Sequence, residues 1–289
     1  MMNLLPLLFA PFISGLIGTL SFGRHSGKTS IPGLLFHSVI PKPGLNLSQC
    51  SVETFKKFLK ILKKNQFEAL TISSAAKMGI DSSTSHRKVL ITFDDGLATV
   101  FQYATPHLNE FNLKSTVFCV AGFIGKSSTW DVYKESLHMS ATELRQISDQ
   151  GHEIGSHSQT HANLPYLNQH DLTCELGDSK KYLEDIIGKE VQSISFPHGC
   201  WNKRVWETAL ELGYSYATLY RGHNRAYDHH YPVISAHCFD TEHSLLEKIN
   251  IRSRFSPAIA FSRIAAHFGK GTPLWKFRNN YNVTRIWEH

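Results

Sequence analysis

The sequence contains no CxxC pair, and its five cysteines (Cys50, Cys119, Cys174, Cys200 and Cys238) lie far apart. A cysteine-based zinc site is thereby excluded, and an odd number leaves at least one thiol outside any disulfide. No run of Lys or Arg marks a nucleic-acid track despite a formal net charge of +6, so nucleic acid is not an expected partner. No Gly-rich phosphate loop follows the first strand-like segment, which argues against a doubly wound dinucleotide fold. Internal repeats and low-complexity tracts are absent as well. Charged residues make up 19% of the chain against 42% hydrophobic ones, the balance of a globular protein rather than a disordered one. At 289 residues the chain can bury one large core or two small ones.

Charge is also missing from residues 1–22, the first charged side chain being Arg24. That length could span a bilayer, yet Pro6, Pro11, Gly15 and Gly18 interrupt it. Neither a positive n-region nor an A-x-A cleavage site accompanies it. The segment is read as an uncleaved membrane anchor or an atypical signal, ahead of one packed on the domain. Either of the first two would direct the protein to the cell envelope or to secretion, and a cytoplasmic location stays open. The expected division is an apolar segment over residues 1–30, a domain over 31–250 and a basic C-terminal extension over 251–289.

Within the central stretch, strand-like and helix-like segments alternate. Leu34–Ile40, Val89–Phe93, Thr116–Ala121, Glu153–Ser156, Ile194–Phe196, Tyr216–Leu219 and Val233–Ala236 read as strands. Between them, Ser51 can cap a helix whose Phe55, Phe58, Leu59 and Leu62 share a face. A second helical stretch aligns Phe101, Ala104, Leu108 and Phe111, and Ser140 and Glu143 have capping-box spacing. A helix from about Asp171 to Ile187 stops at Gly188, and Asn202 and Thr241 cap two more. About seven strands, most followed by a helix, predict an α/β fold: a distorted, TIM-barrel-like (β/α) barrel of parallel strands.

Three polar clusters stand where predicted strands end: Thr92–Gly96 (TFDDG), Ser156–His161 (SHSQTH) and Ser195–Gly199 (SFPHG). In a parallel barrel those ends share the face where active sites form, so the clusters converge. Adjacent carboxylates point apart from an extended backbone, so one of Asp94 and Asp95 can face a metal while the other faces substrate and water. His157 and His161 are four apart, which brings both rings to one side if the segment turns helically. Two neutral imidazoles and one carboxylate suit zinc or another first-row metal, with positions left for water and substrate. Alone, a DD before glycine is a turn signal, and one HxxxH among 17 histidines is unremarkable. Their joint placement with a Pro-His-Gly turn is much rarer.

These motifs resemble those of the polysaccharide deacetylase family that shares the NodB homology domain (carbohydrate esterase family 4). TFDDG, SHSQTH and FPHG are similar to its first three signatures, and Gly151–Gly155 (GHEIG) to the stretch that leads into the histidine pair. Leu35–Val39 (LFHSV) resembles a strand of the branch acting on exopolysaccharide. The resemblance runs from about Ile31 to Ile249. It implies Asp95, His157 and His161 as ligands of a divalent metal, most readily Zn with Co or Ni as substitutes, and Asp94 as general base. It further implies a backbone N–H near His198 as an oxyanion donor and an acetylated glycan as substrate. The expected activity is metal-dependent hydrolysis of N-acetyl groups on a polysaccharide. A carbohydrate-binding protein without turnover and an amidase for non-sugar substrates are the rival readings.

Departures from the family pattern matter too. Ser195 stands where the third signature often has an arginine that orients the catalytic aspartate, and no Asp-Trp pair of a fourth signature follows Gly213. The general acid has three candidates, His198, His237 and His37. Trp201 is read as a sugar-stacking or helix-packing residue, and His223, His229, His230 and His243 as solvated.

Overall fold

Parallel strands buried on both faces read as unbroken apolar runs, and the segments VLITF and TVFC have that character. In the computed structural model these runs line a closed ring. The structure describes residues 31–43, 48–78, 87–128, 136–220, 229–250 and 256–262. The chain enters through β1 (Gly33–Phe36), β2 (Ser38–Ile40) and β3 (Gln49–Ser51), followed by α1 (Val52–Lys64), β4 (Glu68–Leu70) and α2 (Ile72–Lys77). Next come β5 (Lys88–Phe93), α3 (Thr105–Glu110), β6 (Thr116–Cys119), the short hairpin β7 (Ser127–Ser128) and β8 (Ser136–Leu137), and α4 (Ala141–Asp149). The last part runs β9 (Glu153–Ser156), α5 (Gln169–Ile187), β10 (Ser193–Ser195), α6 (Lys203–Glu211), β11 (Tyr216–Tyr220), β12 (His230–Ser235) and α7 (Glu242–Ile249).

β1, β5, β6, β9, β10, β11 and β12 neighbour one another in chain order, and every pairing is parallel. β1 pairs with both β5 (Phe36↔Phe93) and β12 (Gly33↔Val233), which closes the ring. The expected seven-stranded (β/α) barrel is therefore the fold, with β4 added alongside Lys88–Leu90 of β5.

The helix ends follow local chemistry. Ser51 accepts the Thr54 N–H (3.0 Å) at the start of α1, whose Phe55, Phe58, Leu59, Ile61 and Leu62 are buried. Each such side chain contributes about 1.5–3 kcal/mol of burial free energy. Phe36 of β1 meets Phe55 edge-on at 5.3 Å and Phe93 at 5.6 Å, joining helix to barrel. Ser140 and Glu143 form the predicted capping box of α4, and Gly188 ends α5 in the left-handed region at φ 65°.

Three expectations need correction. The strand read over Leu34–Ile40 breaks at His37, and β2 leaves the barrel to pair with β3. The break arises because Phe36 O accepts the Asp94 N–H (3.0 Å) while Ser38 N–H turns to Ser48 O (3.3 Å). The helix read from Phe101 begins as one π-turn over Val100–Ala104, where the Thr105 hydroxyl donates to Val100 O (3.1 Å). His230 is not solvated but buried, with its ring against Trp206 (4.6 Å) and Trp201 (5.2 Å). His229 and His243 are exposed as read, and His223 lies outside the described residues.

Beyond residue 250, the helical residues 257–262 pack on the barrel, where Tyr220 OH donates to Ser262 O (2.8 Å). Among the described residues no helix is long and apolar enough to cross a membrane. Residues 1–22, the expected anchor or signal, lie outside the described residues, as does most of the basic extension.

The mouth opposite the site is tied by buried and half-buried polar groups. Glu153 at the start of β9 accepts from Ser73 N (2.8 Å), Ser73 Oγ (2.9 Å) and Ser193 Oγ (2.7 Å). Beside it, His152 Nδ1 accepts the Ser115 N–H (3.2 Å), so its proton sits on Nε2, which donates to Asn109 Oδ1 (3.1 Å). Burial, and secondarily Lys114, lowers the His152 pKa from 6.5 to about 4. A histidine held neutral in the fold takes up a proton on unfolding, so its stabilising contribution is complete above about 6.5 and falls as pH drops towards 4. Denaturant unfolding of His152→Gln between pH 7 and pH 4.5 should therefore show a shallower loss of stability. The slope should differ from wild type by up to about 1.4 kcal/mol per pH unit, and parallel slopes would refute this account.

Candidate active site

β5 delivers two adjacent carboxylates to the rim and the backbone sends them apart. Asp94 continues the ladder with β1, whereas Asp95 and Gly96 both adopt left-handed conformations (φ 69°). Gly96 is required twice over: its φ disfavours other residues, and a Cβ there would lie 2.8 Å from Cys119 Sγ. Asp94 is buried, and its Oδ2 accepts the Ser195 hydroxyl at 3.1 Å. Its Oδ1 is buried with no hydrogen-bond partner among the described residues. Burial raises the Asp94 pKa to about 6, opposed by the charge of His37 and by the Ser195 hydrogen bond.

β9 delivers the histidines, but not on a helix. Ser158 and His161 have positive φ (65° and 63°), and the His161 N–H is held by Ser158 Oγ (3.1 Å). The four-residue spacing works through a tight loop instead of the helical turn expected from sequence. The rings of His157 and His161 lie 5.0 Å apart, and their Nε2 atoms stand 3.7 and 3.5 Å from Asp95 Oδ1. One ligand atom from each of the three lies within 4.8 Å of the others.

This trio fits a divalent metal. His157 Nδ1–H donates to Ser195 O (2.7 Å), which fixes the tautomer and turns the Nε2 lone pair towards Asp95. Burial lowers the His157 pKa to about 4, against the opposing pull of Asp95 and the Ser195 carbonyl. Burial, then neighbouring His157 and His198, hold His161 well below its ordinary value. Both rings are thus neutral near pH 7, as metal ligation needs. Tetrahedral bonds of about 2.05 Å place ligand atoms about 3.4 Å apart, close to the separations seen.

The remaining candidates divide. His198 sits in the left-handed turn after β10 (φ 58°), with its ring 4.5 Å from His161 and hydrogen-bonded to the His161 backbone. His37, half-buried at the end of β1, acts electrostatically on Asp94, His157 and His161. His237 is buried just past β12, with its ring stacked on Phe239 (5.2 Å) and edge-on to Phe261 (5.5 Å). The structure thus brings Asp94, Asp95, His157, His161, Ser195, His198 and His37 together, and packs the His237 ring against Phe239 and Phe261 just past β12. Trp201 stacks on Phe196 (6.2 Å) and meets His230, so it packs within the fold. Sequence reasoning missed His138, whose Nδ1–H donates to the Asp95 carbonyl (2.8 Å). Nothing in its surroundings before the Ser140 cap singles it out.

Residues 81–217 match the family model described as "Polysaccharide deacetylase". YxkH of Bacillus subtilis (strain 168), named for the same family, is 29% identical over 185 residues, 64% of this chain and 62% of that protein. The poly-beta-1,6-N-acetyl-D-glucosamine N-deacetylase of Staphylococcus aureus (strain MSSA476) is 24% identical over 171 residues, 57% of this chain and 59% of that one. The chain spans about three fifths of the length of these curated relatives. The Streptococcus pyogenes deacetylase PplD, solved in complex with acetate, superposes with a TM-score of 0.64 over 77% of this chain and 99% of its own. At 19% identity that likeness establishes the fold. The stretch that matches the polysaccharide deacetylase family model, residues 81–217, carries the DD turn and the histidine pair of this barrel.

Proposed function

We propose that the protein is a metal-dependent hydrolase that removes N-acetyl groups from an extracellular or cell-envelope polysaccharide, with residues 31–250 as the catalytic domain. The observation that carries this reading is the convergence of Asp95, His157 and His161 within 4.8 Å, beside a buried Asp94 whose Oδ1 has no partner among the described residues. Asp95, His157 and His161 would hold the metal, with zinc favoured by the donor set and cobalt or nickel as substitutes. The chemistry a bound divalent ion supplies there is Lewis-acid polarisation of the acetamide carbonyl and acidification of water. Asp94, ionised above about pH 6, takes the proton of the attacking water through Oδ1. Ser195 fixes the other oxygen and so aims the carboxylate. A backbone N–H near His198 meets the charge that develops on the carbonyl oxygen. A ring nitrogen of His198 or His37 returns a proton to the leaving amine, and acetate and a glucosamine-type product result. His237 is the third acid candidate, with its ring packed against Phe239 and Phe261.

The S. aureus relative's name makes poly-β-1,6-N-acetylglucosamine the first substrate to assay. Zinc- or cobalt-loaded protein should release acetate from it, and Asp94→Asn should lower the rate by about 10²-fold or more. Undiminished release after removal of all metal would overturn the mechanism. Ser195→Ala separates aiming from mere presence of the base. Loss of a hydrogen bond to a charged group predicts a fall in kcat/KM of about tenfold or more. The hydroxyl favours the ionised carboxylate, so its removal should also shift the acid limb of the pH–rate profile to higher pH. An unmoved limb would assign that limb to another group.

A further inference from the structure

The metal ligands His157 and His161 lie on a loop that the backbone disfavours. Left-handed conformations at Ser158 and His161 each cost about 1–2 kcal/mol for a residue with a Cβ, so the surroundings must over-determine the loop. On one side Ala121 N–H donates to Ser158 O (3.0 Å) and Gly122 N–H to Gln159 O (2.8 Å). A Cβ on Gly122 would lie 2.6 Å from that Gln159 oxygen, so this contact needs glycine. On the other side stands Glu175 of α5, only 2% exposed. Its Oε2 accepts both the Gln159 N–H (3.0 Å) and the Thr160 N–H (2.9 Å), and its Oε1 accepts the Thr160 hydroxyl.

A buried carboxylate is costly unless its oxygens are satisfied, and here the donors come from the segment between the two histidines. Glu175 shares its face of α5 with buried Leu172, Leu176, Ser179 and Leu183, so it occupies a position where an apolar residue would bury more cheaply. We infer that Glu175 is a positioning residue which clamps the Gln159–Thr160 peptide and thereby presets the His157 and His161 rings for metal binding. The inference rests on the metal-site reading above, and it concerns affinity for the ion rather than turnover.

Zinc binding by the full chain, measured by competition with a chelating indicator and checked by the cobalt absorption spectrum, tests it. Glu175→Met keeps length and packing but removes every acceptor. It should weaken zinc binding by about 10–100-fold, the usual effect of losing a group that orients metal ligands. Glu175→Gln should stay within about threefold of wild type, since its carbonyl can accept the two N–H groups and its amide can donate to Thr160 Oγ1. The unfolding midpoint of each variant without metal separates affinity from folding. If Glu175→Met does not fold, Thr160→Val, which deletes one of the three bonds, should weaken zinc a few-fold. Equal affinity in wild type, Glu175→Met and Thr160→Val, or equal losses in the Met and Gln variants, overturns the inference and leaves the metal site standing. Wild type that takes up no zinc removes both.

Discussion

β1 pairs along both edges, with β12 and with β5, and the rest of the structure depends on that double pairing. It turns a row of parallel strands into a ring, so the carboxyl ends of β5, β9 and β10 meet at one rim. It also sets the fate of the first carboxylate, because the Phe36 carbonyl at the end of β1 accepts the Asp94 N–H. β1 then stops at His37, which leaves that ring at the same rim and within electrostatic reach of Asp94. Closure thus supplies the common rim, a backbone anchor and a charged neighbour at once.

Burial at that rim sorts the titratable groups by sign. It favours the neutral form of every group, so it pushes Asp94 up to about 6 and His157 and His198 down to about 4. For imidazoles the result is an unprotonated ring nitrogen near neutral pH, which is what a metal ligand needs. For Asp94 the same pressure would leave a carboxyl that ionises too late, and His37 and Ser195 act against it. Ser195 has a second role through its backbone, because its carbonyl sets the His157 tautomer while its hydroxyl holds Asp94. One residue at the end of β10 therefore couples the proposed base to the proposed metal ligand.

Most of the fold was legible because the barrel strands are buried on both sides and the helices carry strong caps at Ser51, Ser140 and Asn202. The break at His37 was not, since an apolar run continues across it and only the hydrogen bonds of Phe36 and Ser38 reveal the departure. At the site, the residues read from sequence are those whose side chains bear the proposed chemistry: Asp94, Asp95, His157 and His161. What holds them is largely main chain, namely the carbonyls of Phe36, Asp95 and Ser195, and any residue type supplies a carbonyl. His138 reaches Asp95 across 43 residues and leaves no local trace. Glu175 did leave one, a carboxylate on the buried stripe of an amphipathic helix.

The same distinction bears on Ser195 at a position where the family pattern often has arginine. The residue's carbonyl contact with His157 is indifferent to its side chain, so only the contact with Asp94 changes with the substitution. An arginine would bring that carboxylate both a donor and a fixed positive charge. Serine brings a donor alone, while His37 lowers the Asp94 pKa through its charge from the end of β1. The two functions an arginine combines are thus divided here between the Ser195 hydroxyl, which fixes geometry, and the His37 imidazole, which acts on Asp94 through its charge.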